Sequence, residues 1–160
     1  TWKMGLRIRE ILIAIPNNST KFSLHFQFLQ ALQGEHSFPL PDMILKVENI
    51  VYNELLIRGY NVDVGIVEAY AKNDEGKTTR KQFEVDFVVN QGSQRYYIQV
   101  AYDMTSEEKQ KQEFNSFRNI PDSFKKIVVV NGTKKPWRNE EGFVIMGMKY
   151  FLLNADSLEF

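Results

Sequence analysis

The 160-residue chain has no cysteine, two histidines and no net charge. Without thiols there is no disulfide framework, no thiolate nucleophile and no Cys-based zinc site, a pattern that suits a reducing compartment, so a cytoplasmic location is expected. His25 and His36 have no pair of acids beside them in the sequence, so neither a zinc site nor a catalytic imidazole is expected. Twenty Lys and Arg balance twenty Asp and Glu. A chain so balanced has no global basic field, and only a local patch could meet nucleic acid or an anionic membrane. Long apolar runs are missing as well. Ile11 to Ile15, near the start, is far too short to span a bilayer and has no cleavage pattern behind it. The first residue is Thr1 rather than methionine, which reads as a piece of a longer polypeptide.

What is present suffices for one core, since 43% of the residues are hydrophobic in a chain of ordinary single-domain length. Two apolar stretches, Leu6 to Ile15 and Phe22 to Leu32, flank the turn-rich Pro16-Asn17-Asn18-Ser19 and are expected as short helices. Residues 1–42 are therefore taken as an N-terminal helical extension and 43–160 as the main domain. Pro39 and Pro41 interrupt the chain before a clear helix from Met43 to Arg58, with Ile44, Val47, Val51 and Leu55 on one face and Gly59 as its stop. The period then changes. Val62 to Val67, Phe83 to Val89 and Tyr96 to Tyr102 are β-rich and separated by turn residues, so three sequential antiparallel strands are expected. Thr105 and Glu108 form a capping-box pattern that opens a helix to about Arg118, with Pro121 beyond it. Ile127 to Val130 reads as a strand buried on both faces, and Gly142 to Met146 as another. The expected fold class is α/β, in the order helix, three antiparallel strands, helix, strand, strand, short helix.

Three polar residues stand where apolar ones would be cheaper, each on a different element. At roughly 100° per residue Glu48 falls within the sector of Ile44, Val51 and Leu55, so it points toward the sheet. Asp86 alternates with the large apolar residues of its strand, and Gln99 shares a face with Tyr97 and Ala101. Taken singly, an acid on an amphipathic helix or in a hairpin is ordinarily solvated. Taken together, two acids and an amide oxygen would make an oxygen-rich pocket suited to a hard divalent cation such as Mg²⁺ or Mn²⁺, and such ions activate water against a phosphodiester.

Glu48, then Gly59-Tyr60, a strand, Asp86, and Gln99 with Ala101 two positions on resemble the PD-(D/E)xK nuclease superfamily and its Holliday-junction resolvase branch, over about Met43 to Val130. The resemblance implies a restriction-endonuclease-like core in which Glu48, Asp86 and Gln99 are the metal-side residues. It also implies a catalytic lysine at position 101, where this chain has Ala101, and a Pro before Asp86, where it has Val85. The strings from Glu48 to Tyr60, Glu84 to Val88, Tyr97 to Tyr102 and Phe151 to Leu153, with Met4-Gly-Leu-Arg7 ahead of them, are similar to a domain of unknown function. That domain is found at the C-terminus of bacterial and archaeal P-loop ATPases of the AAA type. This second resemblance implies an upstream ATPase module as partner and no established activity.

Other signals are weaker. Gly76-Lys-Thr78 lacks the earlier glycine of a phosphate-binding loop, Ala71 standing there, and precedes an expected strand rather than a helix. Lys125, Lys126, Lys134, Lys135 and Arg138 around Trp137 form one basic cluster, and Lys77, Arg80 and Lys81 another. Basic residues beside an aromatic can hold phosphates and stack a base, although a solvated face is the ordinary outcome. Three functions follow. The leading one is a catalytically degenerate nuclease-like module of an ATPase that recognises a partner, nucleic acid among the candidates. Its rivals are an active nuclease in which another cation, such as Arg95, replaces the lysine, and a structural or oligomerisation domain.

Overall fold

A computed structural model describes residues 40–72 and 78–160. The two expected N-terminal helices, both histidines, Lys77 and most of the extension lie outside the described residues. Helix α1 spans Leu40–Ile57 and so begins ahead of the expected Met43. Pro41 falls in its first turn, where a backbone N–H has no intrahelical partner to lose. Val47, Val51 and Leu55 are buried, as their spacing requires. The helix closes at Gly59, whose φ of 83° lets the Tyr60 amide reach back to the Leu55 carbonyl at 3.1 Å.

Strands β1 (Asn61–Lys72), β2 (Thr78–Gln91) and β3 (Gln94–Ala101) follow as an antiparallel meander. Helix α2 (Glu107–Arg118) crosses to β4 (Lys125–Val130), which lies parallel to β3. The two-residue β5 (Trp137–Arg138) precedes β6 (Val144–Gly147), parallel to β4, and the chain ends in α3 (Met148–Leu153) and a single 3₁₀ turn, Ser157–Glu159. The six strands stand in the order β1-β2-β3-β4-β6-β5. The expected sequence of elements is found, with β5 added; so short a strand leaves no alternation to read.

One start signal is displaced. Helix α2 is capped by Ser106, whose Oγ accepts from the Lys109 amide at 3.3 Å. Thr105 instead bonds the Asp103 carboxylate through its amide and its hydroxyl. The expected box of Thr105 and Glu108 therefore does not form, because Asp103 offers Thr105 a closer acceptor.

Each face of the sheet carries its own core. On one, Val47, Val51 and Leu55 of α1 meet Phe87, Ile98, Met146, Phe151 and Leu158. On the other, Phe114 and Phe117 of α2 meet Val85, Ala101, Val128, Phe143 and Ile145. Each fully buried side chain of this size stabilises the fold by about 1.5–3 kcal/mol relative to exposure. Arg58 fastens the C-terminal segment to the first core. Its guanidinium bonds Glu54 Oε1 at 2.9 Å, the Ala155 carbonyl at 3.1 Å, Ser157 Oγ at 2.8 Å and the Phe151 carbonyl, and stacks 4.6 Å from the centre of the Phe151 ring.

Candidate functional site

The site begins with a fault in the sheet. Between β1 and β2 the register moves from Asp63 opposite Val88 to Gly65 opposite Val85. Strand β2 therefore carries one more residue than β1 across this step, which is a β-bulge containing Asp86 and Phe87. The β2–β3 ladder also stops here, at Phe87 opposite Ile98, so the two strands part like a fork.

Asp86 occupies the fork. Its Oδ2 accepts from the Val100 amide at 2.7 Å and its Oδ1 from Gln99 Nε2 at 3.2 Å. The carboxylate thus supplies the bond to Val100 that a continued ladder would have given. Burial raises its pKa well above the usual carboxylate range against the lowering effect of the Val100 bond, and Glu48, Glu113 and Glu84 push it further up. The charges of described residues that act on it are those of glutamates, all negative.

Glu48 and Asp86, expected together, are thus brought within electrostatic reach of one another, and Gln99 joins them by a direct bond. Glu113 of α2 was not foreseen. Burial raises its pKa, against a lowering effect of Gln99. The signal was legible: Glu113 precedes Phe114 and lies four before Phe117, within the buried sector of α2, as Glu48 does on α1. The Oε1 of Gln99 is buried without a hydrogen-bond partner. Acids from the two helices thus approach one carboxylate from opposite faces of the sheet. Among the described residues, however, no three acids or histidines are gathered as metal ligands, so a preformed Mg²⁺ or Mn²⁺ centre does not fit.

Ala101 lies on the same face as Gln99, two residues along, yet in different surroundings. It is 2% exposed and packed in the apolar cluster of Phe114, Phe117, Val128 and Ile145. A lysine there would meet hydrocarbon. Arg95 does not supply the missing cation: it lies toward the opposite end of β3, where its Nε donates to Asn90 Oδ1 at 2.9 Å and its guanidinium covers the Phe124 ring at 5.6 Å.

The two basic clusters are not on a common rim. Arg80 and Lys81 stand on the β1–β2 hairpin, whereas Lys134, Lys135, Trp137 and Arg138 belong to the β5 edge, at the other side of the sheet. Several cations are already engaged. Arg80 pairs with Glu68, Lys125 bonds the Leu158 carbonyl at 2.6 Å, Lys126 the Asp122 carbonyl at 2.7 Å, and Arg138 the Phe160 carbonyl at 2.9 Å. Lys134, Lys135 and Trp137 remain exposed.

Residues 46–151 match the profile of a domain of unknown function, DUF4143. The chain belongs to the DUF4143 family. The matched span opens in α1 and closes in α3, so it holds the whole sheet and all four residues around the fork. An uncharacterized protein of Haemophilus influenzae is 32% identical over 84 residues, covering 52% of this chain and 17% of its own length. This DUF4143 domain thus spans about a sixth of that relative. No solved structure matches. Among the described residues no helix is long and apolar enough to cross a membrane.

Proposed function

We propose that this DUF4143 domain is a catalytically degenerate PD-(D/E)xK nuclease-like domain that serves an ATPase as an interaction module. The observation that carries the reading is the sealed position of Ala101. Two features support the reading: Gln99 bonds Asp86 from the neighbouring strand, and Glu48 on the preceding helix acts on the same carboxylate. The residue that would supply the cation is built into hydrocarbon instead, and the charges of described residues that act on Asp86 are those of glutamates. In that superfamily's pattern the lysine supplies the charge that stabilises a phosphodiester's developing negative charge, and Ala101 cannot. DUF4143 domains often stand at the C-terminus of AAA-type ATPases, which supports an ATPase as the partner.

The test is an incubation with single- and double-stranded DNA and with RNA, in Mg²⁺ and separately in Mn²⁺. No cleavage above a protein-free control is expected. Cutting that Asp86→Ala abolishes would overturn the reading.

A narrower reading adds nucleic acid as a ligand, favoured by the exposure of Lys134, Lys135 and Trp137 on the β5 edge. Its measurement is fluorescence anisotropy of a labelled single strand. Salt-sensitive binding that Trp137→Ala weakens supports it, and no binding at low salt excludes it.

A further inference from the structure

We propose that Gly65 is the positioning residue that holds Asp86 in the fork. Its backbone is not in the left-handed region, since the described glycines with positive φ are Gly59, Gly92, Gly132 and Gly142. The requirement is space. A Cβ at position 65 would stand 2.6 Å from Val88 Cγ2 and 3.1 Å from Val85 Cβ, the residues that flank the bulge on the facing strand.

Strand β2 has to accommodate its additional residue somewhere, and here it closes over the bare backbone of Gly65. Val85 and Val88 fold down on Gly65, both joining the α2-side core, while Phe87 goes to the α1-side core. Asp86 is the residue left between. Neither core takes it, and its carboxylate turns along the sheet to meet the Val100 amide at 2.7 Å. A side chain at position 65 would lift Val85 and Val88, and the shortest response is to undo the bulge. In a regular strand the side chain at position 86 stands perpendicular to the sheet and cannot cap Val100. A Cβ at position 65 would meet Val85 and Val88 rather than Asp86, so Gly65 acts through the shape of β2. The inference stands whether or not the fork ever holds a ligand.

The test is Gly65→Ala followed by amide NMR and hydrogen exchange, with Asp86→Ala as the reference for a lost cap. In Gly65→Ala, Val100 is expected to lose its protection and to shift toward its position in Asp86→Ala, while Ile127 to Val129 of β4 keep theirs. Removing the closest clash with Val88→Ala in the same chain should restore the wild-type Val100 signal. That rescue separates positioning from general destabilisation, because Val88→Ala alone deletes core atoms and stabilises nothing. Should Gly65→Ala fail to fold, the double variant carries the test by itself. A wild-type Val100 amide in Gly65→Ala overturns the proposal, and so does a double variant that does not fold or that folds with Val100 unprotected.

Discussion

Strand β3 divides the sheet into halves that treat polar groups in opposite ways. Toward β4 and β6 the strands run parallel, and Ile127, Val128 and Val129 are fully buried between layers of apolar side chains. Toward β2 the strands run antiparallel, part after Phe87, and admit a carboxylate where the ladder would have continued. Gln99 and Ala101 lie two residues apart on one face of β3, yet Gln99 touches a charged group and Ala101 touches phenylalanines. What separates them is the backbone. Where the ladder is complete, every N–H has a main-chain partner and the remaining volume goes to hydrocarbon. Where it stops, the unpaired Val100 N–H creates a place for an acid.

The comparison can be broken most severely from the apolar side. Ala101→Lys forces a long cation among Phe114, Phe117 and Ile145 and should cost at least about 3 kcal/mol in urea denaturation, with no cutting gained. A stable variant that cleaves DNA would show that the two halves are not as distinct as described.

Next in size is Asp86→Asn, expected to raise the melting temperature at neutral pH. The folded pKa of Asp86 lies above its unfolded value, so the folded state binds more protons between the two. Stability contributed by this group is therefore full below the ordinary carboxylate range and is lost as pH rises through the raised value. Thermal unfolding followed against pH should show that decline in the wild type and a shallower one in Asp86→Asn. A melting point that falls in the variant at neutral pH would mean the charge is compensated. Glu113→Gln should act in the same direction and less, since burial raises its pKa too but Gln99 partly lowers it.

The smallest effect belongs to the start of α2. Ser106→Ala should cost about 1 kcal/mol, and Thr105→Ala less, by chemical denaturation. The reverse order would restore the capping box read from the sequence.

Much of this was legible in the residues. Helical spacing of Val47, Val51 and Leu55, and the unbroken apolar run from Ile127, stated burial directly, and both were found. The burial of Asp86 was legible because it stands in an apolar strand pattern, and its bond to Gln99 joins two residues singled out on the same grounds. Glu113 carried the same signal but stood in a helix whose apolar face is thin. The bulge was not legible: it depends on which residue of β1 faces which of β2, and strand alternation read on one chain does not contain that register. Nor was the choice between Thr105 and Ser106 for the start of α2, since both are good caps and only the placement of Asp103 beside Thr105 decides.

Arg58 has one more consequence. It joins the end of α1 to carbonyls that follow nearly a hundred positions later, and Leu158, beside them, fills the same core as Val47. Helix α1 therefore finds its last neighbours only when the segment up to Leu158 is in place. Loop closure over such a span is entropically slow, so the segment from Phe151 to Leu158 should be the last to settle on α1, and a chain cut after Leu152 should remain open to protease.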